Sequence, residues 1–395
     1  REVWLDVREK SYIEDLYITT PDLTTLKIKP TLQNAEGCIL LVELQKGERV
    51  LVKKAFTAGG VITIRCPGVK SWDTEHPILY TCRVSLLKIG RVMDTREVKV
   101  GFRTAEFKAD GFYLNGKKTF LRGLNRHQCW PYVGYAVPER LQREDARILK
   151  QELACVAVRT SHYPQSQYFI DECDRLGLLV WQDMPNGDQG PQWQMHNYFN
   201  GAEKHRSAES EANFRKEWKE IIDCLYSVPS IGVWVPFNEA WGQFKAPEIA
   251  EWTKAYDPSR LVNPASGGNH YLTGDILDTH HYPHPRMTLL DTNRATVLGE
   301  YGGIGLVMKE HLWEPDRNWG YVRLNSPKEV TDEYEKYADM LYKLIGRGFA
   351  AAVYTQTTDV EVEVNGLMTY DRKVMKVEPE RIRRINERIC NALNK

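Results

Sequence analysis

The chain has 395 residues, which is more than a single ordinary domain usually holds. Hydrophobic residues make up 42% and charged residues 27%, enough for a large core, and 53 basic residues balance 53 acidic ones, so the charge does not point to a nucleic-acid partner. The sequence, which begins at Arg1, shows no apolar run of about 18 residues and no recognisable signal peptide. We therefore expect no membrane span, and the compartment stays open between periplasm, exterior and cytoplasm.

Residues 1–104 have the pattern of a small β domain. Short β-rich runs are separated by turn sequences such as Lys46-Gly47 and Gly59-Gly60. Strands at this regular spacing predict an antiparallel sandwich, and no catalytic group of residues stands out in it. The runs cover residues 23–32, 38–56, 59–69 and 78–102.

The eight cysteines are scattered along the chain and form no C-x-x-C pair. In a chain of this length, such a distribution indicates free, mostly buried thiols that act as small hydrophobic residues. We therefore expect neither a disulfide framework nor a zinc site.

Residues 105–395 have a different pattern, in which apolar strand-like runs alternate with amphipathic helical segments. Eight candidate strands and several helices in this length predict an α/β fold, a (β/α)8 TIM barrel. A doubly wound open sheet is the alternative, but no G-x-G-x-x-G follows the first strand. The candidate strands are Phe120–Asn125, Ala154–Thr160, Leu178–Gln182, Ile231–Phe237, Leu261–Pro264, Ile276–Thr279, Thr296–Gly299 and Ala350–Thr355; the helical segments include residues 144–153, 166–177, 211–226 and 331–346.

Most of these strands end in polar residues, and a TIM barrel places its active site at the carboxyl ends of the strands. A long, Trp-bearing stretch from Gly187 to about Ala208 follows the third strand, where such loops often belong to a site. The strand-end residues are Asn125 to His127, Arg159 to Tyr163, Gln182-Asp183, Asn238-Glu239, Asp278 to Pro283, Glu300-Tyr301 and Gln356.

A single carboxylate after a strand is often a helix cap or a surface charge, and a lone Arg or His is usually structural. Two glutamates are harder to dismiss, because Glu239 and Glu300 end the fourth and seventh strands and can face one another across the barrel mouth. Such a pair suggests cleavage of a glycosidic bond, with one carboxylic acid protonating the leaving oxygen and one carboxylate attacking the anomeric carbon. Arg159 is a natural partner for the attacking carboxylate, and Asn238 can bind a sugar hydroxyl beside the reacting carbon.

Four stretches resemble glycoside hydrolase family 2, which holds β-galactosidases, β-glucuronidases and β-mannosidases. They are "GFRTAEFKADGFYLNGKKTFLRGLNRH", "VRTSHYPQSQYFIDECDRLGLLVWQDMP", "PSIGVWVPFNEAWG" and "VLGEYGG". The resemblance implies an immunoglobulin-like sandwich before the barrel, Glu239 as the acid/base and Glu300 as the nucleophile. It also implies that most of the family's jelly-roll domain is absent ahead of "REVWLDVREKSYIEDLYI". The implied sugar-binding residues are His127, Arg159, His162, Asp183, Asn238 and Tyr282, with Gln356 as a further candidate at the end of the last strand.

Departures from the family pattern narrow the expected substrate. Gly187-Asp188-Gln189 stands where the lac-type β-galactosidases place Glu-x-His as magnesium ligands, so we expect no metal and no other cofactor. Gly303 stands where those enzymes carry a histidine, three residues past the nucleophile. "EVEVNGLMTYDR" lacks the lysine that grips the sugar carboxylate in β-glucuronidases, and a buried anion needs a cation. "VWQDMP" leans towards the β-mannosidases.

The sequence thus predicts a retaining exo-β-glycosidase acting on a neutral sugar, with β-galactosidase-like activity first. The alternatives are β-mannosidase or β-glucuronidase specificity, or a carbohydrate-binding barrel without turnover. The expected partners are a carbohydrate substrate and, in a homo-oligomer, further copies of the chain. "HHYPHP", His280 to Pro285, also has a metal-site interpretation. Adjacent histidines point apart on a strand, so hydrogen bonding to the substrate, or from Tyr282 to Glu300, is favoured over a metal.

Overall fold

The computed structural model describes residues 5–130, 133–187 and 202–393, which divide into two compact units. The first unit takes Arg1–Thr104 and Ile222–Pro229, and the second takes Ala105–Ile221 and Ser230–Lys395. None of the helices in the described ranges combines the length and the hydropathy that a membrane crossing would need.

The first unit is built from two antiparallel sheets that share one core, as the strand pattern predicts. One sheet has the order β1-β2-β5, and the other has the order β4-β3-β6-β7. The strands are β1 (Tyr12–Thr19), β2 (Thr25–Gln33), β3 (Ile39–Lys46), β4 (Arg49–Thr57), β5 (Ile62–Arg65), β6 (Tyr80–Lys88) and β7 (Arg91–Val100).

Alternation along the strands explains this core. In β3 every second residue, Leu40, Val42 and Leu44, is fully buried, and these side chains join Ile28 and Ile62 of the other sheet. Burying each such side chain contributes roughly 1.5–3 kcal/mol. The same core takes in three of the cysteines, and all eight are unpaired, which confirms the prediction of free thiols.

The second unit begins with a small antiparallel sheet and continues as a ring of parallel strands. The antiparallel sheet holds β8 (Ala105–Lys108), β9 (Gly111–Leu114) and β10 (Lys117–Thr119). The ring strands are β11 (Leu121–Asn125), β12 (Ala157–Thr160), β13 (Leu179–Asp183), β14 (Ile231–Val235), β15 (Leu261–Val262), β16 (Ile276–His281) and β17 (Ala295–Gly302), followed, after the parallel pair β18 (Ile304–Leu306) and β19 (Val322–Leu324), by β20 (Phe349–Thr355).

The ring follows chain order, since its pairing sequence is β15-β14-β13-β12-β11-β20-β17-β16. Strands β15 and β16 are bridged by two backbone hydrogen bonds outside the ladders, from Asp275 to Val262 (2.9 Å) and from Gly267 to Asp278 (3.0 Å). The sheet is therefore a nearly closed (β/α)8 barrel. This confirms the predicted fold class and excludes the open doubly wound sheet, whose strand order reverses at a switch point.

The helices between the strands carry ordinary start and stop signals. In α2, the N-terminal flank is Ser166 and the end is Gly177, whose φ of 77° is easy for glycine. The Ser326 side chain caps α5 by accepting from the Glu329 N–H. The helices are α1 (Glu139–Arg147), running into a π-helical turn (Ile148–Glu152), α2 (Gln167–Leu176), α3 (Ala208–Leu225), α4 (Ala246–Tyr256), a 3-10 turn (Lys309–His311), α5 (Pro327–Ile345) and α6 (Pro379–Cys390).

The ring strands are buried on both faces, as in β14, where all five residues of "IGVWV" are inaccessible. Asn238 and Glu239 follow where β14 ends, and Arg159 and Asp183 stand at the ends of β12 and β13. Because the parallel strands of a barrel end on the same side, these side chains gather there.

Candidate active site

The carboxyl ends of the barrel strands surround a cavity of about 510 Å³. Six of the nine residues predicted from the sequence line this cavity. They are His127, His162, Asn238, Glu239, Tyr282 and Glu300. Arg159 and Asp183 are fully buried and contact these residues from below, whereas Gln356 is fully buried behind the wall.

Arg159, at the end of β12, is the hub of the site. Its Nε and Nη2 donate to the two carboxylate oxygens of Asp183 (3.1 and 2.7 Å), while Nη1 donates to Glu300 Oε1 (3.0 Å). Nη2 also donates to the Asn238 side-chain oxygen (2.7 Å). Burial alone would raise the pKa of Asp183, but the guanidinium and His162 lower it. One buried cation therefore holds two buried carboxylates in their ionised form.

Glu300, in β17, has both carboxylate oxygens occupied by donors. Oε1 accepts from Arg159, and Oε2 accepts from the Tyr282 hydroxyl at 2.5 Å. Burial favours the protonated form, but His280, Arg159 and the Tyr282 hydrogen bond outweigh it and lower the pKa of Glu300 to about 2. The side chain is therefore a fixed, ionised carboxylate at neutral pH.

Tyr282 is held in place by stacking and by a second hydroxyl. Its ring lies flat on that of Tyr321, with centroids 3.9 Å apart and an interplanar angle of 3°. Its hydroxyl lies 2.8 Å from Thr355 Oγ1. Burial and the neighbouring Glu300 raise the pKa of Tyr282 well above its usual value. The hydroxyl therefore keeps its proton and donates a hydrogen bond to the Glu300 carboxylate.

Glu239 follows β14 and faces Glu300. One carboxylate oxygen of each residue lies within 4.8 Å of the other. The Glu239 side chain is the more exposed of the two, at 16% against 9%. Its backbone has a φ of 47°, unusual for a non-glycine residue, and the Glu239 N–H donates to the Ser266 carbonyl (3.0 Å). Glu239 thus has a strained backbone conformation, and its own N–H is fixed by a hydrogen bond.

His280, on β16, lies between the two glutamates and was not predicted as a site residue. Its Nδ1 is 2.9 Å from Glu239 Oε1, and its Nε2 is 2.9 Å from the Ser266 hydroxyl, which donates its own proton to Asp278 (2.5 Å). Nδ1 therefore faces an acceptor, whereas Nε2 lies near both the Ser266 hydroxyl and the donor Arg159 Nη1 (3.4 Å). Burial lowers the pKa of His280, but Glu300 and Glu239 outweigh it and raise the pKa above 6.5, in favour of the imidazolium form. Its place in "HHYPHP" was the available signal.

The two histidines that were predicted as site residues lie together at the edge of the cavity. The His127 and His162 rings meet edge to face with centroids 5.7 Å apart. Burial and the nearby His162 lower the pKa of His127 to about 3, so that its ring is neutral. The His162 ring also lies 5.5 Å from that of Trp241, and the residue has a φ of 67°. A neutral imidazole at a cavity wall suits hydrogen bonding to hydroxyl groups.

Among the described residues, Glu239, His280 and Glu300 are the group whose spacing could suit a metal ion. Positive charge is already present there, because Arg159 Nη1 lies 3.0 Å from Glu300 and 3.4 Å from His280 Nε2. His281, the other member of the histidine pair, directs Nδ1 towards the His284 carbonyl (2.8 Å). Of Gly187-Asp188-Gln189, the stretch matched to the Glu-x-His magnesium ligands, Asp188 and Gln189 lie outside the described residues, and the expectation of a metal-free site stays a prediction.

Aromatic side chains form much of the cavity wall, and apart from Tyr163 and Tyr282 the strand-end pattern does not reveal them. They come from the segments after the strands, and several are partly exposed at the mouth. Flat rings of this kind suit contact with the apolar faces of sugars or of aryl groups. The aromatic residues of the wall are Trp130, Tyr135, Tyr163, Trp241, Trp313, Trp319 and Tyr321, besides Tyr282.

Gln356 was predicted to bind substrate, but the structure does not bring it to the cavity. Its Nε2 donates to Glu363 Oε2 (3.0 Å) and to the Asn365 side-chain oxygen (2.7 Å). Glu363 itself lines the cavity and was missed by the sequence reasoning. Residues 356–376, which we call the anchored segment, are fastened by a buried ion pair in which Lys376 Nζ lies 2.6 Å from Asp359 Oδ1.

Two models of one protein family match the chain. Residues 105–386 match the TIM barrel domain of the glycosyl hydrolases of family 2, and residues 11–103 match a second model of the same family. A β-galactosidase of Thermoanaerobacterium thermosulfurigenes is 47% identical over 173 residues, which are 44% of this chain and 22% of that protein. A β-galactosidase of Thermoanaerobacter pseudethanolicus is 35% identical over 297 residues, which are 69% of this chain and 36% of that protein. The chain thus spans well under half of either relative.

Among solved structures, a β-glucuronidase of Bifidobacterium dentium in complex with coumarin-3-O-glucuronide has a TM-score of 0.75 to this chain. The comparison covers 96% of this chain and 67% of that one, at 19% sequence identity. A likeness at this identity shows a shared fold and carries no statement about the substrate.

Proposed function

The chain belongs to glycosyl hydrolase family 2, and from that premise we propose that it is a retaining exo-β-glycosidase that removes a terminal neutral sugar, with a β-galactoside as the leading substrate. The observation that carries the proposal is the pair Glu239 and Glu300, with carboxylate oxygens within 4.8 Å of one another in one cavity. Retaining glycosidases place their carboxyl groups about 5–5.5 Å apart, whereas inverting enzymes need about 6.5–9.5 Å to admit a water molecule.

Glu300 is the nucleophile in this proposal, because two donors and a pKa of about 2 keep it ionised. Glu239 is the acid/base: it is more open to the cavity, no arginine contacts it among the described residues, and His280 orients its carboxyl group. The two environments differ, since Arg159 and the Tyr282 hydroxyl donate to Glu300 and not to Glu239, while His280 lies close to both.

The reaction proceeds in two displacements. The Glu239 carboxyl group gives its proton to the glycosidic oxygen while Glu300 attacks the anomeric carbon, so that the bond from this carbon to the leaving oxygen breaks and a glycosyl ester forms. Glu239, now ionised, takes a proton from a water molecule, whose oxygen attacks the same carbon and frees Glu300. Arg159 and Tyr282 stabilise the departing carboxylate in this second step.

Asn238 supplies a contact beside the reacting carbon. Its side-chain oxygen accepts from Arg159 Nη2, and because arginine can only donate, the amide orientation is set with its NH2 group turned the other way. Asn238 lines the cavity, so this NH2 group can donate to the sugar hydroxyl next to the anomeric centre. Such a hydrogen bond strengthens as positive charge develops in the transition state.

The preference for a galactoside is supported by the relatives named β-galactosidase at 47% and 35% identity. A β-glucuronidase or β-mannosidase preference is the alternative within the same chemistry. A carbohydrate-binding barrel without turnover is the alternative outside it, and the presence of both glutamates together with Arg159 disfavours it.

A panel of nitrophenyl β-glycosides tests the proposal. We expect the β-galactoside to be hydrolysed fastest, Glu300→Gln to lose turnover by several orders of magnitude, and a 2-deoxy-2-fluoro glycoside to label the protein at Glu300, as read by peptide mass spectrometry. Glu310→Gln is the charge-matched control, because Glu310 is exposed in the 3-10 turn. Absence of hydrolysis across the panel, or labelling at a residue other than Glu300, would contradict the proposal.

A further inference from the structure

The charged groups of the cavity wall are strongly one-sided. Among the described residues the wall carries four glutamates, Glu239, Glu300, Glu361 and Glu363, and no lysine or arginine. Arg159 lies beneath the wall, and its guanidinium is already occupied by Asp183 and Glu300. A ligand that enters this cavity therefore meets a surface with a surplus of negative charge and no free cation in its described part.

Glu363 is the carboxylate in this wall that the proposed chemistry does not use. Its Oε2 accepts from the side-chain amides of Gln356 (3.0 Å) and Asn365 (3.1 Å). Among the described residues nothing donates to its Oε1, and this oxygen is not enclosed. Two amides thus fix one oxygen of a partly buried carboxylate and leave the other as an acceptor for a ligand.

The part of the wall that carries Glu363 adjoins the proposed reacting pair, Glu239 and Glu300. The Trp319 N–H donates to the Val362 carbonyl (2.8 Å), and the Val364 N–H donates back to Trp319 (2.9 Å). Two residues further on, Tyr321 stacks on Tyr282, whose hydroxyl binds Glu300. Burial raises the pKa of Tyr321, and so do the charges of Glu239, Glu300 and Glu363, which all lie close enough to act on this ring.

We propose that Glu363 selects the sugar: its free oxygen accepts hydrogen bonds from hydroxyl groups of a neutral terminal sugar, and its charge excludes uronic acids from the cavity. The inference rests on the proposed function for the identity of the ligand as a terminal sugar. Gln356 and Asn365 act through Glu363 as positioning residues. A hydroxyl donates to a carboxylate, whereas the carboxylate of a uronic acid can only accept and brings a further negative charge.

The electrostatic state of Glu363 agrees with this assignment. Burial, together with Glu300 and Glu239, raises its pKa to about 7 against the two amide hydrogen bonds. Above about pH 7 the group is ionised although its surroundings oppose the charge, and a sugar carboxylate beside it would meet the same opposition. In its described part the wall has no lysine or arginine that could offset that second charge.

The test is a matched pair of ligands that resist hydrolysis: methyl 1-thio-β-D-galactopyranoside and its 6-carboxylate, with the corresponding gluco pair, titrated calorimetrically at pH 8. We expect wild type to bind a neutral sugar and to reject the uronate of the same pair. In Glu363→Gln we expect the affinity for the neutral sugar to fall about 10- to 100-fold, the range for a hydrogen bond to a charged group, and the affinity for the uronate to rise. Glu310→Gln removes an equal charge outside the cavity and keeps the wild-type ratio.

The readout is a ratio of affinities and needs no turnover, so it separates this inference from the proposed function. If the uronate bound wild type as well as the neutral sugar, or if Glu363→Gln left the ratio unchanged, the role of Glu363 would be refuted even in an active enzyme. If the ratio changed as expected in a protein that hydrolyses no glycoside, the selection would stand and the enzymatic proposal would fall.

Discussion

We predict an unusual effect of Glu363→Gln for a residue proposed to bind substrate: loss of the Glu363 carboxylate stabilises the fold at alkaline pH. The substitution keeps the shape of the side chain, and the amide oxygen of a glutamine can still accept from Gln356 and Asn365. It removes only the charge. The pKa of Glu363 is raised from 4.5 to about 7, first by burial and then by Glu300 and Glu239.

The sign follows from proton binding. Between about pH 4.5 and 7 the folded chain holds the Glu363 proton while the unfolded chain has released it, so the free energy of unfolding falls as pH rises through this window. At 1.36 kcal/mol per pKa unit, the full difference corresponds to roughly 3 kcal/mol at most. Because the side chain is partly exposed, solvent screening reduces this, and we expect about 1–2 kcal/mol.

The assay is thermal unfolding at pH 5 and pH 8, followed by tryptophan fluorescence, for wild type, Glu363→Gln and Glu310→Gln. We expect Glu363→Gln to unfold a few degrees above wild type at pH 8 and close to it at pH 5, with Glu310→Gln following wild type at both. Parallel curves for wild type and Glu363→Gln would refute the reasoning, since they would show that the folded chain does not retain this proton.

Three further predictions concern the reacting pair. Glu239→Ala should lower kcat/KM about 10²- to 10⁴-fold for alkyl glycosides and far less for dinitrophenyl glycosides, which need no proton; equal losses would rule out Glu239 as the acid. Tyr282→Phe removes a donor from Glu300 and should slow both hydrolysis and fluoroglycoside labelling about 10-fold or more; unchanged labelling would contradict the role of the hydroxyl. The pKa of His280 is raised in the folded chain, so its ion pair stabilises the fold fully below pH 6.5, and this stabilisation is lost as the pH rises through the pKa of the folded state. We expect the melting temperature of His280→Gln to lie furthest below that of wild type at pH 5.5 and to approach it by pH 8.5. A difference in melting temperature that is the same at both pH values would disprove the ion pair.

The barrel could be predicted from the sequence because its strands are buried on both faces. Such strands appear as short apolar runs, and each of the eight predicted runs overlaps an observed strand, although the fifth strand is shorter than expected, at Leu261–Val262. Irregular geometry was harder to predict. Strand β1 was missed because a register shift between Ile13 and Asp15 interrupts its alternation. The first predicted helical segment is likewise divided between α1 and a π-helical turn.

Within the site, strand-end position predicted the residues that a barrel places at its mouth. It could not predict the direction of a side chain, and Gln356 turns into the wall instead of the cavity. Tyr321 and Glu363 escaped prediction for another reason: they come from separate segments that meet through backbone hydrogen bonds, which no strand periodicity records. Most of the predicted long loop, residues 188–201, lies outside the described residues.

The buried ion pair of Lys376 and Asp359 also bears on how this protein can diversify. It joins Asp359 and Lys376, near the two ends of the anchored segment, directly to each other. Glu239 and Glu300 lie outside residues 356–376, whereas Glu363 lies within them. If Glu363 selects the sugar as we propose, substitutions confined to codons 356–376 would change the substrate preference and leave both proposed catalytic glutamates in place.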